Sequence, residues 1–421
     1  MPVGFLRTNV VHPDAKATVF ASFLHFDMCF TVWVLLGSLS VSITQSLGLN
    51  PFLQTVMVAV PTLSGSLLRI PMGLLGDRFG GKRTGTLMLL FLFIPLLLGW
   101  LVDVQLPGVL CIGLMLGVGG ASFAVALPLA SHWYPPSRQG LVMGIAAAGN
   151  MGVVFANLLA PSLAKMYSWH FVLAITMIPL AIVLLAFLLL AKDYPERPQP
   201  VSINKYFAAF KQGDLWWFCL FYSITFGGFV GLGSFLPLFF HNQYGLPSVQ
   251  AGYITALATF VGSTVRPLGG YLSDRFGGVR MLTVLFIFVA LMYVIGSLLL
   301  PLSYMAICLV LGVAFLGMGN GAVFQLVPQR FRAQIGIVTG IVGACGGVGG
   351  FLLPLILGSF KQTTGSYAFG WGTLAALALV ALLVLRVLTS RYRGWCTRWL
   401  STVALETNDD GILDTVPEFQ A

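Results

Sequence analysis

Arg69-Ile-Pro-Met-Gly-Leu-Leu-Gly-Asp-Arg-Phe-Gly-Gly-Lys-Arg83 recurs later in the chain as Arg266-Pro-Leu-Gly-Gly-Tyr-Leu-Ser-Asp-Arg-Phe-Gly-Gly-Val-Arg280. In both copies an arginine stands eight residues before the aspartate of an Asp-Arg-Phe-Gly-Gly turn. At 1.5 Å of rise per residue it lies about 12 Å up the preceding helix from that turn. Half of a bilayer's hydrocarbon core is roughly 15 Å. Each copy therefore places a guanidinium near the bilayer midplane, at matching points of two halves. A charge at that depth costs about 2.5–3.5 kcal/mol on the insertion scale and marks a functional site by default.

The surrounding sequence supports the membrane reading. The chain has 421 residues, of which 57% are hydrophobic and 8% charged, with a mean hydropathy of +0.92. Twelve apolar runs long enough to span a bilayer follow one another: 18–44, 51–75, 84–104, 107–132, 139–164, 169–191, 214–241, 248–273, 279–300, 302–326, 335–360 and 366–388. The first sixteen residues are polar and lack a signal-peptide core, so no cleavage is expected there.

Charge placement predicts the orientation. Of 22 Lys and Arg, two are the midplane arginines, and Lys165 and Lys361 fall in loops on one side. The other 18 (22 − 2 − 2) lie in the tails and alternate loops, among them Arg78, Lys82, Arg83, Arg138, Lys192, Arg275, Arg330 and Arg332. By the positive-inside rule both termini are cytoplasmic. The net charge of +9 is thus a topology signal, and no nucleic-acid partner is expected. The six cysteines and five histidines form no metal or disulfide spacing, and no cofactor is called for.

The repeat extends beyond the arginines. An offset of 197 superposes the second span on the eighth. An offset of 196 brings Gly144-Ile-Ala-Ala-Ala-Gly149-Asn150-Met-Gly152 onto Gly340-Ile-Val-Gly343-Ala-Cys-Gly346-Gly347-Val348, pairing the fifth span with the eleventh. Gly120-Ala-Ser-Phe123 resembles Gly321-Ala-Val-Phe324, pairing the fourth with the tenth. The expected fold is an all-α membrane protein of twelve transmembrane helices in two pseudo-symmetric six-helix halves. Its expected divisions are an N-tail 1–17, a first half 18–191, a linker 192–213, a second half 214–388 and a C-tail 389–421. Parallel repeats flanking a midplane site are the architecture of secondary transporters. The Gly-x-x-x-Gly spacings at 336/340, 343/347 and 346/350 let helix backbones approach closely, and the matching spans of both halves suggest that this packing serves the transport pathway.

Asp77-Arg78-Phe79-Gly80-Gly81-Lys82-Arg83 after Gly73, with Asp274-Arg275-Phe276-Gly277-Gly278 as a second copy, resembles the loop signature of the major facilitator superfamily. Arg69, Arg266 and the paired signatures around Gly149–Gly152 and Gly340–Gly350 resemble more narrowly its nitrate/nitrite porter family. The resemblance runs from about Phe20 to Arg386. It implies a carrier that moves nitrate, and nitrite with it, by alternating access, as proton-coupled uptake or as nitrate/nitrite exchange. It implies that the anion is clamped between Arg69 and Arg266 with Phe123 and Phe226 on its two faces. Tyr222 matches the family's site tyrosine and Asn150 its site amide. The short central loop resembles bacterial members and implies a monomeric, multi-pass carrier in the lipid of the inner membrane.

The residues speak independently for an anion. Guanidinium is planar, stays charged and offers paired donors that suit a flat oxyanion. Asp27 is the one acid well inside a span, and one carboxylate cannot neutralise two arginines. Asp27 is either a salt-bridge partner for one of them or a proton-coupling group that repels the anion when ionised and admits it when protonated. Asp77, Arg78, Asp274 and Arg275 are expected to act as gates, bonding to helix ends in one state of the carrier. Other readings left open are a carrier of a different small anion and a transporter-like nutrient sensor. No nucleophile–base pair or phosphate loop points to an enzyme.

Overall fold

In lipid a backbone amide finds no solvent partner, so an apolar run must satisfy its own N–H and C=O groups by coiling. The computed structural model describes residues 13–102, 105–134, 142, 146, 148–195, 208–331 and 335–391, and no strand occurs among them. We number the spans α1 to α12. The first is built of three pieces, Pro13–Trp33, Leu35–Ser38 and Ser40–Leu47, and together they form α1. Next come α2 (Pro51–Phe79), α3 (Gly81–Leu101) and α4, in which a 3₁₀ turn Gly117–Ala121 joins Leu106–Leu116 to Phe123–Ser131. The 3₁₀ turn Ala148–Met151 leads into Gly152–Met166 as α5, and α6 is Trp169–Leu190. The second half comprises α7 (Gly213–Tyr244), α8 (Ser248–Thr264 with Arg266–Phe276), α9 (Gly278–Ser297), α10 (Leu302–Arg330), α11 (Ile335–Thr364) and α12 (Ala368–Arg391).

Among the described residues, nine of these are long and apolar enough to cross a membrane. The other three are α1, α5 and α8. The first of these breaks near Val34 and Leu39, α5 is described without gaps only from Ala148 onward, and α8 breaks at Val265. The α8 break has a local cause. Pro267 has no N–H and fits the first turn of a new helix, so the ladder restarts at Arg266.

The repeated motif is also a repeated conformation. Gly80 closes α2 at φ 96°, ψ 145°, and Gly277 closes α8 at φ 89°, ψ 127°. A side chain is strained there, which explains the first glycine of each pair. The second glycine opens the next helix in both halves.

Burial sorts the helices. The most apolar window of α7 is 83% buried and that of α6 only 28%. Helix α7 is thus a central element and α6 a peripheral one, whose outward Ile178, Ile182, Leu185 and Leu189 face the lipid. The halves meet along α2 against α11, α1 against α7, and α5 against α8. Asn157 of α5 donates to the Gly233 carbonyl of α7 at 3.0 Å, and Asn242 of α7 donates to Gln54 of α2 at 2.7 Å. Both bonds lie toward the end that carries the Gly48–Asn50 and Gly245–Pro247 turns, away from the two Asp-Arg-Phe-Gly-Gly loops.

Candidate functional site

Arg69 sits midway along α2 and is 1% exposed. Its Nε donates to the Gly120 carbonyl of α4 at 3.1 Å, and its Nη1 to the Gly343 carbonyl of α11 at 2.5 Å. One bond stays within the first half and the other crosses to the second. Its Nη2 has no protein partner. The guanidinium carbon lies 4.7 Å from the Phe226 ring centroid, 5.4 Å from that of Phe123 and 5.8 Å from that of Trp33. The rings' negative faces offset part of the charge, and no carboxylate among the described residues does so.

Arg266 opens the second piece of α8, and its Nη1 is also buried without a partner. It lies beside the Tyr222 hydroxyl, close enough to interact with it electrostatically. Arg69 and Arg266 are near enough to repel each other. Neither is ion-paired among the described residues, so Asp27 neutralises neither of them.

The aromatic residues converge on the same place. Tyr222 and Phe226, one turn apart on α7, stack at 4.9 Å with 5° between their planes. Phe123 lies 5.9 Å from Phe26 and 5.8 Å from Phe324. Phe324 meets Tyr222 edge-on at 4.8 Å. Sequence reasoning did not single out Phe324, although the Gly321-Ala-Val-Phe324 repeat of Gly120-Ala-Ser-Phe123 carried the signal. Trp33 was also missed; its Nε1 donates to the Pro61 carbonyl at 2.7 Å, which fixes its ring beside Arg69.

Asn150 is 1% exposed, and neither Oδ1 nor Nδ2 has a partner. Its 3₁₀ turn packs against α1 and the first piece of α8. Asn150 thus sits at the seam between halves, hydrogen-bonded to neither arginine. Asp27 lies on α1 of the same half, where its backbone packs against Gly149 and Gly152. The Asp27 carboxylate faces the Gly152 backbone, while its Oδ1 is buried without a partner. Thr31 donates to the carbonyls of Asp27 and Gly152, at 2.9 and 3.1 Å, and ties α1 to α5. His25 is a packing residue. Its ring lies 3.2 Å from the Gly85 carbonyl and 4.8 Å from Phe187.

The glycine signatures divide by contact. A methyl group at Gly149 would fall 2.7 Å from Phe26, and one at Gly152 2.7 Å from the Thr31 nitrogen. At Gly343 it would meet Arg69 at 3.1 Å, at Gly346 the Tyr222 ring at 2.8 Å, and at Gly347 the Ser66 Cβ at 2.8 Å. Nothing lies within 4 Å of a methyl at Gly340. Gly144 falls outside the described residues. In the loops, Arg78 lies 5.6 Å over Phe79 and Arg275 lies 5.6 Å over Phe276, one more echo of the repeat. Neither Asp77 nor Asp274 is ion-paired among the described residues. Lys192 pairs with Asp14, and Arg330 with Asp214, at that end instead.

The model of the Major Facilitator Superfamily matches residues 21–354. The nitrite extrusion protein of Bacillus subtilis (strain 168) is 36% identical over 370 residues, covering 84% of this chain and 90% of that protein. The chain belongs to the major facilitator superfamily, in its nitrate/nitrite porter family. Further relatives agree. A probable nitrate transporter, NarT, of Staphylococcus haemolyticus is 32% identical, covering 85% of this chain and 92% of its own. A probable nitrate/nitrite antiporter, NarK1, of Thermus thermophilus is 30% identical, covering 88% and 91%. Among solved structures, a bacterial homolog of the human lysosomal transporter Spinster, inward-facing and occupied, superposes with a TM-score of 0.69 at 18% identity, covering 93% of this chain and 99% of its own. The nucleoside transporter NupG does so with a TM-score of 0.70 at 15% identity, covering 89% and 99%. These two speak for the fold alone. This major facilitator protein is a multi-pass membrane transporter of twelve helices in two pseudo-symmetric halves, and not an enzyme.

Proposed function

We propose that this porter carries nitrate, and nitrite at the same site, by alternating access across the bacterial inner membrane, with both termini in the cytoplasm and one chain as the working unit. One observation carries the reading. Two guanidinium groups, one from each half, lie close together without a carboxylate partner, and each keeps a buried N–H group free of protein acceptors. A flat anion is the ligand that such donors suit. Arg69 and Arg266 hold it, Phe123 and Phe226 cover its faces, Tyr222 donates its hydroxyl, and Asn150 supplies an amide at the seam. Because the arginines belong to different halves, binding draws the halves together. The anion's charge also relieves the repulsion between the two cations.

Asp27 favours proton coupling over pure exchange. Its buried Oδ1 has no partner and it is ion-paired with neither arginine, so among the described residues no cation balances its charge and only the Gly152 backbone faces it. An ionised Asp27 opposes anion entry and a protonated one permits it, which sends one proton with the anion. The loops around Asp77, Arg78, Asp274 and Arg275 act as gates, so their substitution alters turnover more than affinity.

Proteoliposomes loaded with nitrite or with buffer alone, with or without an inward proton gradient, distinguish the modes when labelled nitrate entry is followed. Entry stimulated by the gradient marks symport, and entry requiring internal nitrite marks exchange. Folded protein that admits nitrate under neither condition removes the reading.

A further inference from the structure

Asn320 on α10 is 1% exposed, and neither Oδ1 nor Nδ2 has a hydrogen-bond partner among the described residues. A buried amide without partners is rare enough to require a reason, more so where the surroundings are lipid and helix. Asn157 shows what a packing asparagine does in this chain. Its Nδ2 donates to the Val153 and Gly233 carbonyls, and its Oδ1 accepts from Ser38. Asn320 does none of this. It shares its unpartnered state with Asn150 of the opposite half.

Its direction follows from its glycine neighbours. Gly317 and Gly321 press on α8, where a methyl would lie 2.7 Å from the Gly262 carbonyl carbon and 2.7 Å from the Gly270 nitrogen respectively. Gly319 presses on α7, where a methyl would lie 3.1 Å from the Thr225 Cβ. At about 100° per residue, Asn320 projects between these two faces, into the cleft where α7 and α8 diverge. One turn further on, Phe324 leaves α10 on the same side and meets Tyr222 and Phe123. A methyl at Gly321 would also touch the Arg266 backbone carbonyl, so Asn320 stands at the level of Arg266. Thr225 Oγ1, buried and likewise unpartnered, borders the same cleft.

We infer that Asn320 is a ligand of the transported anion, an amide donor that the second half places beside Arg266 as the first half places Asn150 at the seam. The inference rests on the anion-carrier reading above. Each half then supplies one guanidinium and one primary amide, so the bound oxyanion is met by charged and neutral donors from both sides. The amide adds directional N–H groups without adding charge to a site that already holds two cations.

The test uses the full-length protein, purified and reconstituted, with nitrate as the probe. Asn320→Ala and Asn320→Ser are each expected to raise the nitrate Kd and KM about 10-fold or more, the loss of a buried hydrogen bond to a charged group. Vmax per folded protein and Tm stay close to those of the parent. Asn157→Ala is the comparison, expected to lower Tm more than either Asn320 variant does, because it breaks bonds that the protein makes with itself. Asn320→Asp keeps the shape but sets a negative charge against the anion, and is expected to abolish binding. Folded Asn320→Ala or Asn320→Ser protein with a nitrate Kd within about twofold of the parent overturns the inference. So does an Asn320→Asp protein that binds nitrate normally. A parent protein that binds no nitrate overturns the nitrate reading itself, a result separable from either of these.

Discussion

Arg69 is held in two ways at once, and they pull in different directions. Its bonds to the Gly120 and Gly343 carbonyls fix its plane, while Nη2 remains free of protein acceptors. Lysine carries its donors on a single nitrogen and has no planar fork, so it cannot meet two carbonyls reached by separate nitrogens and also match a flat anion. Arg69→Lys is therefore expected to retain the fold and lose at least about 100-fold in nitrate uptake, the scale of two charge-assisted bonds. Uptake in proteoliposomes with Tm as a control checks this; near-normal uptake would show that charge alone suffices. Asp27→Asn removes the only ionisable acid well inside a span. Nitrate entry should then no longer carry protons, as a pH-sensitive dye inside the vesicles would report. Continued acidification during uptake would clear Asp27 of that role. The arginine pair was legible in the sequence because a cation in an apolar run is conspicuous. The Gly120 and Gly343 carbonyls were not, since a backbone acceptor leaves no mark in residue identity. Asn320 also escaped notice, because a single amide in a glycine-rich span reads the same whether it is bonded or not.

At the scale of elements, the close approach of α11 to α2 and α7 is where glycine matters most. Alanine at 346 would bring a methyl within 2.8 Å of Tyr222 and 3.2 Å of Phe226, the stacked pair behind Arg69. Overpacking of this kind costs about 1–3 kcal/mol, and here the displaced atoms are the site's own rings. Gly346→Ala should weaken nitrate binding far more than Gly340→Ala, whose methyl meets nothing within 4 Å. Equal effects of the two changes in a nitrate titration would mean that glycine content alone, and not contact with the rings, governs the helix. The existence of the spans was legible from hydropathy, and so was the repeated loop, whose glycines at 80 and 277 hold matching positive φ. The interruptions inside α1 and α4 were not, because hydropathy is blind to a change of hydrogen-bond pattern within an apolar run. The break at Val265 did have a visible cause in Pro267, but a proline inside a membrane helix does not by itself break it.

For the whole molecule, the polar ties across the halves decide which side is shut. Asn157 to Gly233 and Asn242 to Gln54 both lie beyond Arg69, toward the Gly48–Asn50 and Gly245–Pro247 turns. With the termini cytoplasmic, as proposed above, that side is external and the described state is the one closed to the outside. Alternating access requires these ties to break while others form at the opposite end. Each is worth about 0.5–1.5 kcal/mol net, and losing both shifts the equilibrium between states by roughly 5- to 160-fold if the two add. The double variant Asn157→Ala with Asn242→Ala should therefore populate the outward-open state. Ser234 is 2% exposed and packs against Gly37 of the other half, so its accessibility reports the opening of this seam. In a background whose native cysteines are replaced by serine, Ser234→Cys should react slowly with an impermeant thiol reagent added outside, and faster by that factor in the double variant. Unchanged labelling would place the barrier elsewhere: in α11, which presses on α2 and α7 through its glycines and is tied to them by Arg69 to the Gly343 carbonyl and Ser223 to the Cys345 carbonyl.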